Sequence, residues 1–223
     1  MYLSKKSVIY VLLFIMVITV SACSTAAEPD GETLAVLAPE TEMTIVPTTI
    51  RVDEFLSENE IFTSDYDGDE CYNITPDFIA ENSDFAVFKY SVFSESFILY
   101  DGHVYSIGTC LGGSGITSMA LADINRDGQY ELYYTFSWGS GIHRSEIGYF
   151  DPADKEITVF DYSLMNSEMM LTVNESGDLC VNRAVPDFNS WVDFSIKAED
   201  LMGTIVFDQE KICFDAKPGE TFF

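Results

Sequence analysis

The chain has 223 residues and carries 37 acidic against 11 basic side chains, a formal net charge of −26. That length holds one domain with a real hydrophobic core. Such a charge repels phosphate backbones and anionic head groups, which excludes nucleic acid as a partner and leaves most of the carboxylates as a solvated face.

In chain order, the first segment is an address. Lys5 and Lys6 form a basic start, and Val8 to Val20 an apolar run short of the roughly 20 residues that a membrane span needs. Val20-Ser21-Ala22 is a small-residue cleavage site, with Cys23 next. The Val-Ser-Ala-Cys tetrad resembles the bacterial lipobox. That resemblance implies removal of residues 1–22, diacylglycerol on the Cys23 thiol, and a mature chain held by lipid on the outer face of the cell membrane. Losing the two leader lysines makes the chain more acidic still.

Residues 23–50 are rich in Thr, Ala, Glu and Pro, as in Ala26-Ala27-Glu28-Pro29 and Pro47-Thr48-Thr49, and predict a flexible tether. The folded domain is then expected over 51–223. Val52, Phe55 and Leu56 have helical spacing and predict a short helix between Arg51 and Glu60. The run Asp65-Tyr66-Asp67-Gly68-Asp69-Glu70 has its glycine one place after the second Asp, and reads as an acidic turn.

From Phe85 onward, short strands alternate with turns. Phe85 to Tyr90 is one strand; Phe97 to Tyr100 and Val104 to Ile107 flank the hairpin signal Asp101-Gly102. Gly112-Gly113-Ser114-Gly115 breaks the pattern and reads as a flexible loop. Further strands are predicted at Glu146 to Phe150, Ile157 to Tyr162, Met169 to Val173 and Leu179 to Arg183. Trp191 to Lys197 alternates with Val192, Phe194 and Ile196 inward, and Thr204 to Phe207 with Ile212 to Phe214 makes the last hairpin. Short strands without helices of ten or more residues define an all-β domain, an antiparallel meander packed as a sandwich, a barrel or a small propeller-like arrangement.

Four cysteines remain beside Cys23, and they allow three pairings. Cys180 and Cys213 both lie between apolar neighbours, on the more polar face of their strands. On adjacent strands they could bond, given α-carbons within about 7 Å; Cys71 and Cys110 would then be the other pair.

The most informative stretch is Asp123-Ile-Asn-Arg-Asp-Gly-Gln-Tyr-Glu131. Asp123, Asn125 and Asp127 fall at alternate positions, Gly128 permits a sharp bend, Gln129 offers its carbonyl and Glu131 closes the shell. A hard cation wanting six to eight oxygens is served by this set, calcium better than magnesium. An EF-hand would need an acid where Tyr134 stands and helices on both sides, whereas Leu132-Tyr-Tyr-Thr-Phe-Ser-Trp138 has the composition of a strand. The segment from Ala122 to Tyr134 resembles the calcium hairpins of FG-GAP (integrin-type) and VCBS repeats. Glu131 stands where those repeats carry Asp, and a full integrin-type propeller would need far more chain than 51–223. The resemblance implies a bound calcium ion between two strands.

Leu132, Tyr134, Phe136 and Trp138 share one face of the strand after this loop, and Trp138, His143 and Arg144 are the candidate contacts for a protein or carbohydrate partner. The chain thus reads as a calcium-binding surface lipoprotein acting as a binding module, with no catalytic residues assigned. The alternatives are a cell-envelope hydrolase with paired carboxylates, or an inhibitor or chaperone-like partner of another exported protein.

Overall fold

The computed structural model describes residues 36–48, 71–90, 95–108 and 112–218. The lipobox, the tether before Val36, the expected helix at 51–60, the acidic turn at 65–70 and Cys110 lie outside them.

The described chain is almost entirely antiparallel sheet. The first sheet has the order β3 (Cys71–Asn73), β4 (Ala86–Tyr90), β5 (Ser96–Tyr100) and β6 (His103–Ile107). The second runs β1 (Val36–Leu37), β7 (Gly115–Ala122), β8 (Glu131–Trp138), β9 (Arg144–Asp151) and β10 (Glu156–Met165). The third runs β11 (Glu168–Val173), β12 (Leu179–Phe188), β13 (Phe194–Asp208) and β14 (Lys211–Ala216), with β2 (Glu42–Ile45) also on β13. Each sheet therefore contains four strands in sequence order, the up-and-down meander that short turns impose. None closes into a barrel, which removes that packing; the sheets lie face to face in the manner of a sandwich.

Part of the expected tether is sheet. Val36 and Leu37 pair with Ala122 and Leu121, and Glu42–Ile45 pairs with Lys197–Phe194. The Thr, Glu and Pro content disguised an alternation: Met43 and Ile45 are buried, while Glu42 and Thr44 face solvent. A one-turn helix that the sequence reading did not contain, α1 (Asp77–Ala80), follows Pro76 and buries Ile79.

β7 is buried along its whole length and β8 up to Trp138. On one face Met119, Leu121, Leu132, Tyr134 and Phe150 join a core shared with Val87 and Ile98 of the first sheet and Ile45, Phe194 and Ile196 of the third. On the other, Ala120, Ala122, Tyr133 and Ile147 meet Leu171, Val181 and Met202. Each such large apolar side chain, fully buried, contributes about 1.5–3 kcal/mol. Hydroxyls join the sheets between these clusters: Thr135 Oγ1 donates to the Met169 carbonyl at 2.9 Å, and the Leu171 amide donates to Ser118 Oγ at 2.7 Å.

The expected Cys180–Cys213 bridge is absent. Cys180 pairs with Thr204 of β13, and Cys213 pairs with Val206 on that strand's other side. A whole strand separates them, although Cys180 does lie on the more polar face of its strand, between Thr172 and Thr204.

Candidate metal-binding hairpin

The loop between β7 and β8 is the solvent-exposed end of the most buried hairpin. Leu121 pairs with Leu132 and Ala122 with Glu131, so the loop leaves and re-enters the sheet at fixed points. Inside it, Asp123 Oδ1 and Oδ2 accept the amides of Asp127 and Gly128, each at 3.0 Å. Asn125 Oδ1 accepts the Asp127 amide at 2.9 Å, and its Nδ2 donates to Asp127 Oδ2 at 3.3 Å. The Gln129 amide donates to Asp127 Oδ1 at 2.8 Å. Gly128 sits at φ 89°, the left-handed region that glycine enters without steric cost.

These bonds turn the carboxyl groups toward one another. Ligand oxygens of Asp123, Asp127 and Glu131 lie within 4.8 Å of one another, a group that could hold a metal ion. Asn125 bonds Asp127 through its side chain and Gln129 bonds it through its backbone amide. Each carboxylate oxygen of Asp123 and Asp127 keeps a second lone pair beyond the one that an amide occupies.

Glu131 is the least expected member, because it is only 1 % exposed. Its Oε2 accepts the Ile124 amide at 3.0 Å and the Tyr133 hydroxyl at 2.8 Å. Burial pushes its carboxyl up to about 7, against the pull of those two donors, and the carboxylates of Asp151 and Asp123 push the same way. A buried acid whose charged neighbours are further acids lacks a counter-charge, which a divalent cation at the loop would supply. The donor set therefore fits a hard cation.

Of the three candidate partner contacts, Arg144 is exposed and Trp138 and His143 are half-buried. Trp138 packs partly against the core, and the Arg144 guanidinium lies over its ring, 5.8 Å from the centroid. His143 has its Nε2 3.5 Å from Glu168 Oε1, and that nitrogen is buried without a hydrogen bond.

Glu168 belongs to a second polar centre that sequence reasoning missed. Ser114 Oγ and Ser137 Oγ donate to its Oε1, both at 3.0 Å, and Ser145 Oγ lies 2.9 Å from Oε2. Lys89 completes the centre: its Nζ donates to the carbonyls of Ser114 and Trp191. Burial lowers the Lys89 ammonium from 10.5 to about 7, and the Glu168 carboxyl opposes that fall. These six residues come from four strands and two turns, and no local motif marks them. The chain matches no family model, curated protein or solved structure.

Proposed function

We propose that this chain is a lipid-anchored extracytoplasmic protein whose β-domain binds calcium at Asp123, Asn125, Asp127, Gln129 and Glu131, and serves as a binding module for a protein or carbohydrate partner. The observation that carries the calcium reading is the convergence of three carboxyl groups within 4.8 Å on one hairpin, one of them buried. Three acidic ligands and one neutral amide suit calcium at the weak, extracellular end of its range, with a dissociation constant of about 0.1–1 mM. The Cys23 lipid address and the acidic charge support the same compartment.

The test is thermal unfolding of the full chain in non-ionic detergent, with chelator, calcium or magnesium. Calcium at 100 times its dissociation constant adds about 2.7 kcal/mol, or roughly 5–10 °C for a domain of this size. Equal midpoints in chelator and calcium would reduce the hairpin to a polar turn.

A further inference from the structure

A cleft of about 510 Å³ opens between two turns, one after β8 (Gly139, Gly141, His143) and one after β12 (Trp191), with Ser114, Glu168 and Phe188 at the end of β12 also in its lining. We propose that this cleft binds a neutral saccharide, Trp191 stacking on the apolar face of a pyranose ring while Glu168 accepts one of its hydroxyls. The inference rests on the reading of the domain as a binding module, and gives that module a ligand class and a place.

The first observation is the platform. Trp191 is 45 % exposed, yet it is backed by Phe188 with ring centroids 5.2 Å apart, and Phe188 in turn by Phe194 at 5.2 Å. A large aromatic left half in water but supported from behind is a ready stacking surface, because its desolvation by a ligand needs no rearrangement.

The second is rigidity. Lys89 is fully buried and bonds the Ser114 carbonyl on one side of the cleft and the Trp191 carbonyl on the other. Ser114 then passes the connection on, since its hydroxyl donates to Glu168. Burying a lysine and a glutamate stabilises a core less than apolar side chains of the same size do, so such a network is better understood as fixing geometry. Here it fixes the aromatic wall against the carboxyl group. The glycine turn is equally constrained: a Cβ on Gly113, at φ 80°, would lie 2.4 Å from Trp138 Cα.

The third observation selects the ligand. An aromatic wall with one carboxyl group would also suit an organic cation. Against that, Glu168 already takes three hydroxyl donors and has His143 Nε2 3.5 Å from its Oε1, so a cation would meet a carboxyl group whose charge is largely spoken for. An apolar ligand would cover Glu168 Oε2, which keeps one lone pair beyond the Ser145 hydroxyl, without offering it a donor. A polyhydroxylated ring with one apolar face satisfies both walls.

The experiment is calorimetric titration of the full chain in non-ionic detergent with chitotetraose, cellotetraose and mannotetraose, and separately with tetramethylammonium. At least one tetrasaccharide is expected to bind with a dissociation constant below about 1 mM. Trp191→Ala should weaken that binding about tenfold or more, Glu168→Gln should weaken it as well, and Phe207→Ala, which removes an exposed aromatic elsewhere, should leave it within about twofold. The inference is overturned if no tetrasaccharide binds at about 10 mM, if binding ignores Trp191→Ala, or if tetramethylammonium is the ligand that depends on Trp191. Calcium-dependent unfolding of the same samples separates the two readings. A calcium shift without saccharide binding overturns this inference alone, and saccharide binding without a calcium shift removes only the metal.

Discussion

Lys89 and Glu168 are joined through a single residue, Ser114, whose carbonyl accepts from the Lys89 ammonium and whose hydroxyl donates to the Glu168 carboxyl at 3.0 Å. One serine thus links a strand of the first sheet to a strand of the third across the start of β7.

The placement of Lys89 sets a pH dependence. The unfolded chain keeps this proton up to about 10.5, whereas the fold releases it near 7. Between those values unfolding takes up a proton, so this residue's contribution makes stability rise with pH across that window. Tyrosines and cysteines titrate there too, so the comparison is with Lys89→Met. From pH 7 to pH 10 in urea titrations, the parent should gain stability relative to the variant. Parallel curves would mean that Lys89 is no harder to charge in the fold than in the unfolded chain.

At the hairpin, charge and shape can be separated at Glu131. Both of its donors, the Ile124 amide and the Tyr133 hydroxyl, converge on Oε2, and a glutamine carbonyl oxygen can accept both. Glu131→Gln should leave the melting temperature in chelator unchanged or higher, because a buried acid is removed. The calcium-dependent rise should largely vanish, with affinity down at least about tenfold. A variant that keeps the full rise would take Glu131 out of the ligand shell.

Thr117 and Thr135 test the joint between the second and third sheets. Thr135 Oγ1 donates to the Met169 carbonyl at 2.9 Å, and Thr117 Oγ1 lies 2.9 Å from Thr135 Oγ1 and 3.4 Å from that carbonyl. Thr135→Val keeps the volume but strips a buried carbonyl of its better donor, which should cost about 1–3 kcal/mol in equilibrium urea unfolding. Thr117→Val leaves that donor in place and should cost under about 1 kcal/mol. Equal losses at the two sites would assign the effect to packing.

What was legible in the sequence follows from how local each signal is. Val192, Phe194 and Ile196 are 4 %, 1 % and 0 % exposed, as their alternation predicted, because a strand with one buried face writes that face at period two. The carboxylate cluster of the hairpin was legible because Asp123, Asp127 and Glu131 lie within nine consecutive residues. The strand Glu42–Ile45 carries the same alternation, but the prolines and threonines around it outweighed it. Gly112-Gly113-Ser114-Gly115 read as a flexible loop, although Ser114 is buried and β7 begins at Gly115. The Lys89 and Glu168 centre was illegible for a different reason: its serines stand at 114, 137 and 145, and only the pairing of distant strands brings them together. The Cys180–Cys213 expectation failed likewise, since adjacency in a sheet is a property of topology.

The burial of both faces of β7 and β8 has a consequence for how this hairpin finds its alignment. In a strand with one wet face, a slip of one residue turns apolar side chains into water and is penalised at every position. In Gly115–Ala122 against Glu131–Trp138 a slip exchanges one dry face for another, and it is resisted by the contrast in size between Met119 or Leu121 and Ala120 or Ala122 and by buried hydroxyls such as those of Ser118 and Thr135. The alignment is then set from the tip, where Asp123 grips the amides of Asp127 and Gly128. The loop that gathers three carboxyl groups is thus also a clasp that helps two strands find where to meet, so folding alone constrains its sequence.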